Sequence, residues 1–433
     1  MKIAVIGTGY VGITTIASLG ELGYQLIGVD QDDKKIDQLK KGRLPIYEPG
    51  VESVIQSLLK QQTLEFTNRV EEAVDKAEVL FITVGTPSVT DGRTNMKYID
   101  AVAMEIGRHI KEHRVIVNKS TAPVGTTGRI ESIINDQLIT RDYTVTFDVV
   151  SNPEFLQEGM ALQGARNPYR IILGCQSLKA TEVMLKLYQK IDVPKQITSP
   201  REAEMIKYAS NGFLATKITF INEIARLCDR LEVDVTEVAK GVGADKRIGD
   251  YFLSAGLGYG GSCFPKDISS LIMMGREAGV EMNLLKIVQE INQTQTDWFM
   301  NKIKETMMDL KGKRIALLGL AFKPDTDDIR EAPSLRLCRR LLEEEAIVVG
   351  FDPVANHKVE EQVLDISIAN DAYQAVEDAD AVAICTEWKE FLHLDWRKIK
   401  SLMKGTLIYD GRNALDREML KSVGFQYWGV GRN

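Results

Sequence analysis

Residues 3–12 read IAVIGTGYVG, an apolar run of β-type residues that passes directly into Gly7, Gly9 and Gly12. No other stretch limits the possible folds so strongly. The run predicts a buried strand, and the G-x-G-x-x-G spacing predicts a tight turn into a helix. The first glycine permits the turn, and the second lets the backbone approach a pyrophosphate. The third lets helix and strand pack closely, and the helix N-terminus favours an anion. Asp30 closes the next apolar run, LIGVD, 23 residues after Gly7, where a ribose hydroxyl would be held. An acid there favours NAD over NADP, because it would repel a 2′-phosphate. Lys35 follows closely enough to reach the same ribose. The plainer alternative is that the three are ordinary turn glycines.

Further β-type runs at Gln25–Val29, Val79–Val84, Val115–Asn118 and Phe147–Val150 alternate with helix-like stretches such as Val11–Leu22 and Ile99–His109. That alternation predicts a doubly wound parallel sheet. Two later strand ends, TVGTP (Gly85, Thr86) and NKSTAPVG (Ser120, Thr121), fall beyond the carboxyl edge of the sheet, where a ligand belongs. Either could equally be a capping turn.

From Pro200 to about Leu231 apolar residues recur at three- and four-residue steps with no internal proline, which predicts one long helix. A second alternating pattern then begins at Lys313, with RIALLGLAF, IVVGFDP, VAICT and TLIYDG. The fold class expected is therefore α/β: two Rossmann-like doubly wound α/β domains joined by a long central helix. The expected boundaries are 1–195, 196–300 and 301–433.

Composition narrows the function. Over 433 residues the net charge is -7, which argues against nucleic acid as a partner. No run of about 18 apolar residues suggests a membrane span. The N-terminus lacks a signal-peptide layout. Five scattered cysteines and four histidines support neither a disulfide framework nor a zinc or other metal site. The expected compartment is the cytoplasm.

Three clusters carry candidate chemistry. In SNPEFLQEG (151–159), Asn152 is placed to N-cap a helix with Pro153 at its first position, so that Glu154 and Glu158 share one face. The alternative is that they are first-turn acids complementing the helix dipole. In EMIKYASNGF, Lys207 and Asn211 lie four apart beside small residues that leave room for a ligand, although a surface lysine is the plain alternative. In GYGGSCFPKD (258–267), Cys263 lies among Gly258, Gly260 and Gly261, which suggest clearance for a ligand, with Lys266 and Asp267 just beyond. It reads either as a buried structural thiol or as a nucleophile beside cationic groups. A nucleophilic thiolate beside a dinucleotide can add to an aldehyde, and the adduct can yield a second hydride.

Taken in order, GTGYVG, YEPG (47–50), VGTP, NKSTAPVG, SNPEFLQEG, EMIKYASN, GYGGSCFPKD and LGLAFKPDTDDIR (318–330) resemble the nucleotide-sugar dehydrogenases over nearly the whole chain. The resemblance implies an N-terminal NAD domain, a central dimerising helix and a C-terminal UDP-binding domain. It implies four-electron oxidation of UDP-glucose to UDP-glucuronate with two NAD, or a sister reaction on UDP-ManNAc, UDP-GlcNAc or GDP-mannose. Carried over, Cys263 is the nucleophile, Lys207 and Asp267 assist proton transfer, and Thr121, Glu158 and Asn211 hold a water. NAD contacts fall on Gly7, Gly9, Tyr10, Val11, Gly12, Asp30, Lys35, Gly85, Thr86, Thr121, Glu158, Lys266 and Arg330. Sugar-nucleotide contacts fall on Glu154, Phe155, Leu156, Gln157, Glu158, Lys207, Asn211, Phe252, Leu253, Ser254, Ala255, Gly256, Gly260 and Lys323, with Arg247 reaching a partner subunit. Two positions depart from the pattern: Gly212 replaces an alanine, and Asp250 stands where a base is common.

Two other classes compete. A one-step β-hydroxyacid dehydrogenase would need neither Cys263 nor the second α/β unit. A non-catalytic sensor should lack Cys263, Lys207 or Asp267, and all three are present.

Overall fold

Both expected sheets form, and each lies in its own unit of the chain. The computed structural model describes residues 1–362 and 365–432. One unit comprises Met1–Ser210 with Ser269–Met274, and the other comprises 211–268 with the described residues from 275 onward.

In the first unit the strands are β1 (Lys2–Ile6), β2 (Gln25–Val29), β3 (Leu64–Thr67), β4 (Val79–Ile82), β5 (Arg114–Asn118), β6 (Phe147–Ser151), β7 (Ile171–Gly174) and β8 (Lys195–Thr198). Their order is β3-β2-β1-β4-β5-β6-β7-β8. Every neighbouring pair is parallel except β6 and β7. Strand side chains alternate between the two faces. Ile3 and Val5 enter one core with the helix Tyr10–Glu21, whereas Ala4 and Ile6 enter another with Lys97–His109 and Thr126–Thr140. Because both faces are covered, β1, β4 and β5 read as unbroken apolar runs. Ile6 pairs with Val29 on one side and Ile82 on the other. The strand order reverses at this point, which opens a crevice at the carboxyl ends.

The long helix forms as predicted, over Pro200–Leu231. In the second unit it is followed by the helix Asn283–Met307, which periodicity did not suggest. The second sheet contains β9 (Arg314–Leu318), β10 (Ile347–Phe351), β11 (Ser367–Ile368), β12 (Ala381–Ile384), β13 (Leu407–Asp410) and β14 (Gln426–Gly429). They are all parallel, in the order β11-β10-β9-β12-β13-β14. Ile315 and Leu317 face one core, and Ala316 and Leu318 the other. The strands β3, β7, β8, β11 and β14 were missed in the sequence: β3, β8, β11 and β14 are short and partly exposed, which breaks the apolar run, and β7 is buried but only four residues long.

Candidate active site

The three glycines of the first turn divide into two kinds. Gly7 has φ +102°, and a Cβ there would lie 2.7 Å from the Thr83 carbonyl oxygen; on Gly12 it would lie 1.8 Å from the Gly7 oxygen. These two are glycines for the chain's own packing. At Gly9, and at Gly85 beyond β4, a Cβ would meet nothing within 4 Å. Open backbone at the ends of neighbouring strands suits a pyrophosphate. The helix Tyr10–Glu21 has neither a side-chain cap nor an acid in its first turn, so nothing of that kind competes for an anion.

Asp30 lies at the end of β2. Its Oδ2 accepts from the Thr8 amide (3.0 Å), the Thr8 hydroxyl (2.7 Å) and Lys35 Nζ (2.9 Å). Burial by itself raises the pKa, but the Thr8 and Lys35 hydrogen bonds outweigh it and hold the carboxyl below its ordinary value. Beyond β4 and β5, Thr86 Oγ1 donates to the Thr121 carbonyl (2.7 Å), and Ser120 Oγ donates to the Val84 carbonyl (2.8 Å). The VGTP and NKSTAPVG segments are thereby joined. Val11 lies in the first helical turn, its carbonyl accepting from Thr15. An acid for a ribose, open glycine backbone and an acid-free helix start all fit NAD.

The helix expected to begin at Pro153 does not form. The backbone is irregular over 152–157, and the helix starts only at Ala161. Asn152 is not an N-cap, because its side chain is used elsewhere. Its Oδ1 accepts from Tyr188 (2.6 Å) and Lys119 Nζ (3.2 Å), and its Nδ2 donates to the Ile172 carbonyl (2.9 Å). Glu154 and Glu158 therefore do not share a helical face. Glu154 is buried, with Oε1 3.0 Å from Lys207 Nζ and Oε2 accepting from the Leu156 amide (2.5 Å). Burial raises its pKa, but the Lys207 charge and the Leu156 N–H prevail and keep it below the usual carboxylate range.

Lys207 is accordingly a buried charge and not a surface lysine. The Phe155 ring has the Arg170 guanidinium 4.1 Å and the Lys207 ammonium 5.3 Å from its centroid. Lys119, which stood unremarked inside NKSTAPVG, is lowered to about 8 by burial; Glu154 opposes that shift and Lys207 adds to it. Two cations, Lys207 and Lys119, thus act on the one Glu154 carboxylate. Of the remaining residues in this segment, Gln157 is exposed and Leu156 and Glu158 are half-buried.

In the second unit Cys263 immediately precedes the helix Phe264–Glu277, and its carbonyl accepts the Asp267 amide (2.8 Å). The thiol is half-buried, 3.5 Å from Ser262 Oγ. The plain reading of a buried structural thiol describes Cys228, Cys338 and Cys385 better: burial pushes Cys338 and Cys385 up to about 12 and raises Cys228. Asp267 is buried, accepts from Asn211 Nδ2 (2.6 Å) and pairs with Lys266.

The glycines around the thiol do not provide clearance for a ligand, contrary to expectation. A Cβ would lie 2.6 Å from Asn292 Oδ1 at Gly258, 2.3 Å from the Glu331 carbonyl at Gly260, and 2.7 Å from the Phe322 ring at Gly261. The space is taken by the chain itself. Buried amides clamp the same loop, Asn222 and Gln295 on Gly256 and Asn292 on the backbone N–H and C=O of Tyr259. Nothing in the sequence marked these amides.

Upstream on this loop, Phe252 adopts φ +64° and sets its ring edge against Phe264, Leu253 and Ala255 are buried, and Ser254 is exposed. The Lys323 ammonium is 6.0 Å from the Phe322 ring centroid. Arg330 pairs with Asp328 (2.7 Å). Arg247 is exposed and paired with Asp245 (2.6 Å). The structure thus joins Asp30 with Lys35, Thr86 with Thr121, Glu154 with Lys207, and Asn211 with Asp267 and Lys266.

A dinucleotide crevice at a strand-order reversal and a thiol at a helix N-terminus are the equipment of an NAD-dependent oxidoreductase. Family models carry the description further. Residues 1–192 match the NAD binding domain, 201–294 the central domain and 316–417 the UDP binding domain of the UDP-glucose/GDP-mannose dehydrogenase family. The UDP-glucose 6-dehydrogenase TuaD of Bacillus subtilis (strain 168) is 42% identical over 432 residues, covering 100% of this chain and 93% of that protein. The structure of a UDP-glucose dehydrogenase from Pyrobaculum islandicum is 37% identical with TM-score 0.92, covering 100% of this chain and 98% of that one. A UDP-D-ManNAc dehydrogenase from Pyrococcus horikoshii is 28% identical with TM-score 0.87, covering 100% and 99%. The chain belongs to the UDP-glucose/GDP-mannose dehydrogenase family.

Proposed function

We propose that the chain oxidises C6 of UDP-glucose to the carboxylate of UDP-glucuronate, consuming two NAD and one water. The observation that carries this reading is Cys263 at the start of the helix Phe264–Glu277, with Asp267 buried one turn on. The full-length likeness to TuaD supports the choice of sugar.

When bound, NAD accepts one hydride in each of two oxidations. Lys207 and Asp267 assist removal of the C6 hydroxyl proton and stabilise charge on that oxygen in the first. The Cys263 thiolate, favoured by the helix N-terminus, then adds to the aldehyde carbon, and the oxygen takes up a proton to complete a thiohemiacetal. Loss of that proton and of the C6 hydride leaves a thioester on Cys263. Thr121, Glu158 and Asn211 hold a water, and Glu158 accepts its proton as the oxygen attacks the thioester carbon. The C–S bond breaks and the thiolate returns to Cys263.

The NAD contacts are assigned to the first turn, Asp30, Lys35, Gly85, Thr86, Thr121, Glu158, Lys266 and Arg330. The sugar nucleotide is assigned to 154–158, Lys207, Asn211, 252–256, Gly260 and Lys323. NAD binding, pairing of subunits and UDP-sugar binding are divided among 1–195, 196–300 and 301–433.

A homodimer through the long helix is supported by Phe213, Phe220 and Leu227, which recur every seventh residue and are about half or more exposed; Arg247 is proposed to reach the partner subunit's site. The free thiols Cys175, Cys228, Cys338 and Cys385 suit a reducing, cytoplasmic compartment.

The test is to count NADH released per nucleotide sugar across a panel. Two NADH from UDP-glucose is expected, and one or none sinks the double oxidation. A second reading, oxidation of UDP-ManNAc, UDP-GlcNAc or GDP-mannose, is favoured by the likeness to the Pyrococcus protein and is decided by the same panel. Cys263→Ser should retain NAD binding and lose acid formation; full turnover in that variant removes the thioester.

A further inference from the structure

The YEPG stretch has no part in the chemistry above, yet its glutamate is buried against the segment that has. Glu48 Oε2 accepts from the Gly159 amide (2.7 Å) and Oε1 from the Ala161 amide (2.8 Å). Gly159 has φ +80° and turns the chain from Glu158 toward the helix Ala161–Arg166. Two residues after Glu48, Gly50 brings its backbone to within 3.6 Å of Leu162 at the Cβ position. The two stretches of chain therefore run together.

The segment 152–159 belongs to no helix or strand, so side chains must fix its shape. At the upstream end the Asn152 amide donates to the Asn118 carbonyl (2.9 Å), and the Asn152 side chain is held by Tyr188, Lys119 and Ile172. Midway, Glu154 is held by Lys207. The downstream end is held by Glu48. The Gly159 N–H belongs to the peptide plane that begins at the Glu158 carbonyl carbon. A carboxylate gripping that N–H fixes the plane, and with it the direction in which Glu158 leaves the backbone. Charged acceptors grip N–H groups more firmly than neutral ones.

We propose that Glu48 is a positioning residue that orients Glu158 and the rest of 154–158 for the sugar nucleotide and the hydrolytic water. The proposal rests on the role given to Glu158 above.

Its test uses full-length Glu48→Gln and Glu48→Ala beside the unaltered protein, with steady-state kinetics, NAD affinity and amide hydrogen exchange of peptides spanning 156–161 without substrate. The expected result is a loss of kcat/KM for UDP-glucose of roughly tenfold or more in the alanine variant, with the glutamine variant intermediate. The Kd for NAD should rise no more than kcat/KM falls, since Glu158 is only one of the assigned NAD contacts, and exchange at 156–161 should quicken while that of the helix Lys97–His109 does not. A purely structural loss would instead speed exchange in both regions, which overturns the proposal. Unchanged exchange at 156–161 in both variants also overturns it. If the unaltered protein oxidises no sugar nucleotide, the functional reading fails by itself, and the exchange measurement still decides whether Glu48 holds the segment.

Discussion

The central strands of the two sheets end alike. β1 runs into Gly7 at φ +102° and β9 into Gly319 at φ +92°. The Gly7 amide donates to the Val29 carbonyl and the Gly319 amide to the Phe351 carbonyl, each at 2.8 Å. The next amide donates to an aspartate closing the neighbouring strand, Thr8 to Asp30 (3.0 Å) and Leu320 to Asp352 (2.7 Å). Beyond this the two ends diverge. Asp30 keeps one oxygen with little more than the Asp32 amide at 3.2 Å. Asp352 is buried, with the Leu320 and Ala321 amides and Trp388 Nε1 on one oxygen and the Val354 and Ala355 amides on the other. The first sheet leaves one oxygen of its carboxylate lightly engaged, whereas the second spends both oxygens of the same carboxylate on its own loops. LGLAFKPD also lacks the second and third glycines that bring a pyrophosphate close. One scaffold thus recurs in two domains, one matching an NAD binding model and one a UDP binding model.

The contrast can be broken by mutation. Asp352→Ala strips five donors of their buried acceptor and should lower stability by about 3–5 kcal/mol in urea unfolding. Asp30→Ala should cost less than about 1.5 kcal/mol and act chiefly on NAD affinity. Equal stability losses at the two sites would remove the distinction.

A smaller contrast lies within the first turn. Gly12→Ala drives a methyl into the Gly7 carbonyl and should cost about 1–3 kcal/mol. Gly9→Ala meets open space, so the melting temperature should hold while NAD affinity falls by roughly tenfold. An unchanged Kd for NAD in Gly9→Ala would show that the open backbone is not the pyrophosphate seat.

The smallest effect is a pH dependence of opposite sign in the two sheets. Asp30 has its pKa lowered on folding, so its contribution is present above about pH 4 and fades as the pH falls through the folded value. Burial raises Asp410 at the end of β13, so the folded state loses stability there as the pH rises through the carboxylate range. Acidification from about pH 6 to 3 should therefore shrink the advantage of the parent over Asp30→Asn and improve its standing against Asp410→Asn. Urea midpoints read both trends, and parallel trends would contradict the assignment.

How much of this was legible in sequence depended on how local the cause was. The turn at Gly7–Gly12 and the position of Asp30 at the end of β2 could be read because strand, turn and carboxylate follow one another along the chain. The helix Pro200–Leu231 was legible from its periodicity. SNPEFLQEG misled, because Asn-Pro-x-x-x-x-Glu has the look of a helix start, while the side chain meant to cap it is taken by Tyr188, Lys119 and Ile172 from elsewhere in the fold. The glycines near Cys263 misled for a related reason. What fills the space beside them, Asn292, Glu331 and Phe322, is remote in sequence. Lys119 and Glu48 lay inside quoted motifs, but their partners are more than thirty residues away.

The pair Glu154–Lys207 also bears on ionic strength. Surface pairs such as Arg93–Asp91 weaken as added salt shortens the Debye length to a few ångströms. Glu154 and Lys207 meet at 3.0 Å with about one-twentieth of each side chain exposed, where mobile ions cannot come between them. Salt therefore loosens the rim of this protein well before it reaches the charges around Phe155, and the first unit keeps its buried electrostatics in brines that erase the ion pairs outside.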